Sequence, residues 1–421
     1  MKRLLKIVGA VIASILVLLL VAGAYVLVTW DRSVDREPPA LTAPRDSATV
    51  QRGKYIFNVT WQCWSCHQGE SGEGSMTLGG GMKFDLTNIG PGFGVYYSRN
   101  ITPDSITGLG RWSDGEIVQA IREGVNRNRK VLFPIMPVDW LKDLSDDDAL
   151  AIVAYIRSLR PMHNRVPDAE PSFFAKALKA FHVMGPTTPT VGPRPRPAVT
   201  AEYGRYFTLH VAGCADCHTP RNLQDGKFYL DSLLAGSSIA FGEAEHDPTT
   251  SYARNITPDD STGIGRWTEE QFIAAVTGGQ RPDGTVLTPH MPYAHYKFLA
   301  EDDLRAVYLF VRSLTPVRRI TPRSGAGSPA ASLRGAERGK MLYQSRCKSC
   351  HGPEGKGGVP TNVKLAEVAG SLSDAELKEF IAQGQLSLRM PAFGKTLSGE
   401  ELDDVIAYLR QISRATTAPS N

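Results

Sequence analysis

The sequence contains no run of basic residues. Its 47 Lys and Arg are scattered among 43 Asp and Glu, and the net charge is +4 over 421 residues. A nucleic-acid-binding chain gathers its cations into a patch or stripe, so nucleic acid is set aside as a partner. Long apolar runs are nearly absent as well, with one exception: Met1-Lys2-Arg3 and Lys6 precede an almost unbroken stretch from Ile7 to Val28. About 20 apolar residues suffice for a helix to cross the hydrocarbon core. The cations precede the run and an acidic, Pro-containing segment (Asp31 to Pro39) follows, so the positive-inside rule puts the rest of the chain outside the cytoplasm. Ala22-Gly23-Ala24 offers the alternative of signal-peptidase cleavage. The run continues through Tyr25-Val26-Leu27-Val28 and is longer than an ordinary signal core, which favours a retained anchor. Both readings export the body.

Cysteine, histidine and methionine are all scarce, at six, nine and nine. The six cysteines form three pairs of one spacing: Cys63-Trp64-Ser65-Cys66-His67, Cys214-Ala215-Asp216-Cys217-His218 and Cys347-Lys348-Ser349-Cys350-His351. Zinc ribbons, thioredoxin-like redox pairs and structural disulfides all use Cys-x-x-Cys. What separates these motifs from them is the histidine after the second cysteine. With nine His in the chain, a chance His there is roughly a one-in-fifty event, so three together are a coincidence of about one in a hundred thousand. Two thiols on one helical turn can add to the two vinyl groups of a porphyrin, and the adjacent imidazole can then reach the iron. The motifs therefore predict three covalent haem c groups, held by Cys63, Cys66, Cys214, Cys217, Cys347 and Cys350 and ligated by His67, His218 and His351. Attachment requires export, in agreement with the N-terminus.

A Met-Pro pair follows each motif: Met136-Pro137, Met291-Pro292 and Met390-Pro391. A single Met in an apolar setting is ordinarily core packing. Three in matching order after three motifs predict sixth ligands, with His290 and His295 as competitors for Met291. Six-coordinate irons would leave no open position, which argues for electron transfer without a catalytic site in this chain. Met/His ligation also raises the reduction potential. The alternative is a haem enzyme, a peroxidase or thiosulfate-type oxidoreductase, with one open iron.

The first two segments form an internal repeat. Arg99-Asn100-Ile101-Thr102-Pro103-Asp104 through Gly110-Arg111-Trp112 returns as Arg254-Asn255-Ile256-Thr257-Pro258-Asp259 through Gly265-Arg266-Trp267, at the 155-residue offset that also relates Met136 to Met291. The third segment lacks the block and is shorter. Each segment closes with an amphipathic helix pattern: Leu150, Val153, Ala154 and Ile156 after Ser145; Leu304, Val307, Tyr308 and Val311 after Glu301; and Leu402, Val405, Ile406 and Leu409 after a capping box at Ser398 to Glu401. A glycine precedes each motif (Gly53, Gly204, Gly339), where the missing side chain would let two helices approach closely; a loop glycine is the alternative. Gly185 to Pro197, with five prolines, predicts an extended semi-rigid spacer, and Thr321 to Ser332 a flexible one. Gly69 to Gly94 is glycine-rich, without periodicity, and reads as a loop. The expected fold is mainly α: an anchor at residues 1–30, then three tandem domains at 45–184, 198–320 and 333–415.

From about residue 45 to 415 these features, above all the paired Arg-Asn-Ile-Thr-Pro-Asp…Gly-x-Gly-Arg-Trp block, resemble the three-haem cytochrome c subunits of membrane-bound alcohol, gluconate and sorbitol dehydrogenases. Similar cytochromes serve molybdenum hydroxylases. The resemblance implies an electron carrier on the periplasmic side of the inner membrane. Its donor would be a flavin, quinoprotein or molybdenum dehydrogenase subunit, and its acceptor ubiquinone or a downstream cytochrome or oxidase. It also implies His67, His218 and His351 as proximal ligands, Met136, Met291 and Met390 as distal ones, and Arg111-Trp112 and Arg266-Trp267 as partners of haem propionates. Family members more often carry a cleaved signal.

Overall fold

A computed structural model describes residues 2–70, 76–87, 92–222, 226–241, 251–288, 290–321, 335–356, 363–385, 390, 392–394 and 397–417. It is mainly helical, and it divides into two compact units: residues 1–69 with 78–194, and residues 70–77 with 195–421.

In the first unit, α1 (Lys2–Thr29) is long and apolar enough from Lys6 onward to cross a membrane. Asp46 caps α2 (Ser47–Tyr55) by accepting from the Thr49 amide at 2.9 Å. The chain widens into a π-helical turn over Ile56–Thr60, passes Gln62 in the left-handed region (φ 49°), and restarts as α3 (Cys63–His67). A capping box of Ser113 and Glu116 opens α4 (Asp114–Glu123), and left-handed Gly124 ends it. Three helices follow, α5 (Val138–Leu141), α6 (Asp146–Ser158) and α7 (Phe173–Ala180).

The core lies where α2 crosses α6. A Cβ on Gly53 would fall on the Ala151 carbonyl, well inside van der Waals contact, so the close-approach reading of this glycine is right. Ile56, Phe57, Val153, Ala154 and Ile156 are buried around the crossing. Arg52 makes a two-pronged contact with the fully buried Asp148 carboxylate, at 2.8 and 3.0 Å, a pairing that keeps a buried charge from being left alone.

Two expectations change here. Gly69 to Gly94 is more than a loop: it holds strands β1 (Gly69–Glu70), β2 (Met76–Thr77) and β3 (Lys83–Asp85), and β3 pairs antiparallel with β4 (Gly94–Tyr97), Phe84 opposite Tyr96, with β5 (Glu170–Pro171) on the other side of β4. Strands of two to four residues are too short for alternation to show in the sequence. Gly185 to Pro197 has no regular secondary structure, and part of it is strapped to the first unit. The Thr187 amide donates to Glu123 O (3.2 Å), Arg36 donates to Thr187 O (2.7 Å), and the Thr190 amide donates to Asp143 (2.7 Å). An extended proline-rich chain has no internal hydrogen bonds, so its backbone groups are open to such partners.

The second unit repeats the pattern. α8 (Ala201–Tyr206) runs into a π-helical turn at Phe207–Val211, left-handed Gly213 (φ 68°) and α9 (Cys214–His218). A Thr268/Gln271 capping box opens α10 (Glu269–Gly278), followed by α11 (Tyr293–Tyr296) and α12 (Glu301–Ser313). Gly204 lies against the Ala306 carbonyl as Gly53 does against Ala151. The remaining helices are α13 (Ala336–Arg346), α14 (Lys348–His351), α15 (Leu365–Ser371), α16 (Asp374–Gln383) and α17 (Gly399–Thr417). Gly339 meets the Asp404 carbonyl, and Tyr343, Leu377, Ile381, Leu402, Val405, Ile406 and Leu409 form the core there. The expected flexible linker lies, apart from Thr321, outside the described residues.

Candidate haem sites

Within α3 and α9 the two cysteines and the histidine of each motif share a single turn or so of helix. Cys63, Cys66, Cys214 and Cys217 are in no disulfide bond. His67 Nδ1 lies 2.9 Å from the Arg99 carbonyl and His218 Nδ1 lies 2.7 Å from the Arg254 carbonyl. A carbonyl can only accept, so each Nδ1 carries the proton and each Nε2 keeps its lone pair. That is the usual arrangement of a metal-ligating histidine, oriented through its other nitrogen. Burial holds both imidazoles below their ordinary pKa, with the hydrogen bond to the carbonyl opposing it, and a neutral ring is what ligation needs. Burial also pushes the Cys63 and Cys214 thiols up to about 12.

The repeated block holds those carbonyls in place. Asn100 donates to Thr107 Oγ1 (3.0 Å) and to Met162 O (2.7 Å), while its Oδ1 accepts from the Thr102 amide (3.0 Å) and hydroxyl (2.7 Å). Asn255 repeats this with Thr262 (3.0 Å), Val317 O (2.7 Å) and the amide and hydroxyl of Thr257 (2.9 and 2.8 Å). Asp104 and Asp259 close the following turns by accepting from backbone and hydroxyl groups, above all those of Thr107 and Thr262, which holds each carboxyl down at about 2. Gly80 and Gly236 then bring the chain back, their amides donating to His67 O (3.1 Å) and His218 O (2.7 Å). Both have positive φ (70° and 97°), and a Cβ on Gly80 would strike the Arg99 carbonyl group. The block is legible in the sequence as a repeat, but its task, to present one carbonyl to one imidazole, is not. Of the residues that the resemblance assigned to propionates, Arg111 and Arg266 are exposed. The Trp112 and Trp267 carbonyls accept from Arg157 and from the Tyr308 hydroxyl.

Met136 and Met291 are half-buried and sit in matching inverse γ-turns. The Val138 amide donates to Met136 O and the Tyr293 amide to Met291 O, both at 2.8 Å, across Pro137 (φ −76°, ψ 55°) and Pro292 (φ −80°, ψ 47°). Proline fixes the φ this turn needs and lacks an amide hydrogen. Tyr296 donates to Ala212 O at 2.8 Å in the buried interior, which ties the helix after Met291 to the residues just before Cys214. His290 Nδ1 lies 3.0 Å from Ser251 Oγ, which accepts from Thr288, and burial lowers the His295 pKa. Met390 pairs with Gln385 through two backbone hydrogen bonds of 2.9 Å, and its side chain packs on the third core. Pro391 lies outside the described residues.

Around His351 the construction differs. Gly339 stands eight residues before Cys347, against ten in the other two cases, and α13 runs to Arg346 with no π-helical turn and no left-handed residue. Tyr343 donates to Gly352 O at 2.7 Å. His351 Nδ1 is buried without a hydrogen-bond partner among the described residues, which exclude 357–362. Of Cys350 only the backbone is described.

Residues 50–160 match the family model for cytochrome c, and residues 334–409 match that for subunit III of cbb3-type cytochrome c oxidase. The chain carries cytochrome c domains. The first two donor sets fit the group such domains imply, a covalently bound haem c, through two cysteines outside any disulfide beside an imidazole with its Nδ1 already engaged. Over 403 residues the chain is 27% identical to the cytochrome c subunit of an alcohol dehydrogenase (quinone) from Gluconacetobacter polyoxogenes, covering 88% of this chain and 82% of that one. The gluconate 2-dehydrogenase cytochrome c subunit of Pantoea cypripedii is 26% identical over 87% of this chain and 86% of its own length. The fructose dehydrogenase cytochrome subunit of Gluconobacter japonicus is also 26% identical, over 93% of this chain and 83% of its own length. The cytochrome is thus a homologue of dehydrogenase cytochrome subunits along most of its length.

Proposed function

We propose that this cytochrome is a three-haem electron-transfer subunit that takes electrons from the catalytic subunit of a dehydrogenase and passes them to ubiquinone or a downstream cytochrome or oxidase. The donor subunit would use flavin, a quinone cofactor or molybdenum. The observation that carries this reading is the twice-built histidine site, His67 on the Arg99 carbonyl and His218 on the Arg254 carbonyl. Cys63 and Cys66, Cys214 and Cys217, and Cys347 and Cys350 would hold the three groups covalently in domains at 45–184, 198–320 and 333–415. His67, His218 and His351 would bind one face of each iron, and Met136, Met291 and Met390 the other. A bound haem c supplies a reversible one-electron couple at its iron.

The chain's own contribution is positional. The two carbonyls fix the imidazole tautomer of His67 and His218, and the turns at Met136-Pro137 and Met291-Pro292 would position two of the thioethers. Ligation of each iron by a histidine and a methionine of this chain would leave no site for substrate, and the open-iron alternative is not favoured by relatives that are cytochrome subunits of dehydrogenases. α1 would anchor the protein in the inner membrane with its domains on the periplasmic side. The test is to isolate the protein with its native partner and add an alcohol, aldehyde or sugar acid that the partner oxidises. Reduction of all haem absorbance, reversed by a ubiquinone analogue, is expected; haems that stay oxidised during turnover would contradict the reading.

A further inference from the structure

α7 lies in the first unit against the C-terminal end of α1. Phe173, Phe181 and Val183 are 55, 55 and 66% exposed, and Phe174 is exposed beside them. Single exposed apolar residues are ordinary, but a cluster of large ones marks an interaction surface. Residues 173, 177 and 181 fall on one side of the helical turn, while Ala175, about half a turn away, is buried.

What covers this face is shown by its neighbour. The Phe181 ring lies 5.6 Å from the ring of Tyr25, in the last turns of α1, where Leu27 and Val28 are themselves exposed. Lys176 and Lys179 both sit over the Trp30 ring, at 5.2 and 5.1 Å. Lys179 also pairs with Asp31 at 3.6 Å. Tryptophan, tyrosine and lysine at the end of a membrane-spanning helix mark the headgroup level. The apolar surface of the span therefore continues onto Phe181 at the depth where it leaves the hydrocarbon.

We infer that α7, with Phe181 and Val183, is an interfacial helix that lies in the outer surface of the same lipid bilayer α1 crosses, seating the first cytochrome unit on the membrane. Its apolar face would enter the headgroup and acyl boundary by about 5–10 Å, as amphipathic interfacial helices do. The inference rests on the reading of α1 as a membrane anchor.

The test uses the full haem-loaded chain in phospholipid nanodiscs. Single cysteines are introduced by Phe173→Cys, Phe181→Cys and Val183→Cys, with Leu18→Cys in the span and Ile106→Cys, on an exposed loop, as references. Each is spin-labelled, and its relaxation by oxygen is compared with that by a water-soluble nickel chelate. Labels at 173, 181 and 183 are expected to favour oxygen several-fold over the label at 106, and less strongly than the label at 18. If 18 is deep while 181 and 183 are as open to nickel as 106, the interfacial helix is refuted and the anchor stands. If 18 is also open to nickel, the anchor falls, and the interfacial helix with it.

Discussion

The surroundings of His67 and His218 are built to one plan, and those of His351 to a shorter one. The first two share a π-helical turn, a left-handed residue before the first cysteine, and a buried asparagine network whose leading carbonyl accepts from the imidazole. Among the described residues the third shows the common frame: a glycine-mediated helix crossing, a capped middle helix ending at a positive-φ glycine, a methionine, and a closing helix. The difference separates what a cytochrome c segment requires from what the duplicated pair has added. The frame makes the pocket, and the added block fixes its histidine.

The frame should be the most sensitive part. Gly53→Ala, Gly204→Ala and Gly339→Ala each drive a methyl group into a backbone carbonyl, and each should cost about 3 kcal/mol, the upper end of the usual range for overpacking, read as loss of the haem signal of its own segment in denaturant. Equal damage in all three supports a common frame, and a silent Gly339→Ala would remove the third segment from it. Next come Asn100→Ala and Asn255→Ala. Each orphans several buried partners and should cost roughly 2–3 kcal/mol, shifting the potential of its own haem and leaving the third unchanged. A shift confined to the third haem would break the comparison. Tyr296→Phe should cost about 1–2 kcal/mol in the second segment alone, because Leu141 holds the equivalent place in the first and carries no hydroxyl.

The smallest effect is acid sensitivity. Hydrogen bonds from Thr107 and Thr262 to their charged forms hold the Asp104 and Asp259 carboxyls down at about 2, below the ordinary 3.8. A depressed carboxyl pKa stabilises the fold above its unfolded value and loses that contribution as pH falls through the folded one. The wild type should therefore exceed Asp104→Ala in stability above about pH 4, with the gap closing toward pH 2. A gap independent of pH over that range would show that the carboxylate charge is not what matters.

Much of this is legible in the residues alone. The three motifs and the repeat stand out because each is a fixed spacing of chemically distinctive residues, and a glycine ahead of each motif marks the close helix contact. The Ser398 capping box is legible for the same reason, and the boxes at Ser113, Thr268 and Ser373 carry the same signature. The purpose of the Arg-Asn-Ile-Thr-Pro-Asp block is not legible. Its product is a backbone carbonyl aimed at a ring 32 or 36 residues earlier, and backbone direction leaves no mark in residue identity. The strap from Gly185 to Pro197 is hidden in the same way, since proline content reports extension and not the groups an extended chain finds.

The most direct test of the three-haem reading is the intact mass of the mature protein, taken together with its haem-to-polypeptide ratio after denaturation in pyridine. Three covalent haems per chain are predicted, falling to two when Cys347 and Cys350 are both replaced by alanine. Two haems in the unaltered protein, or haem that dissociates from the denatured chain, would contradict it.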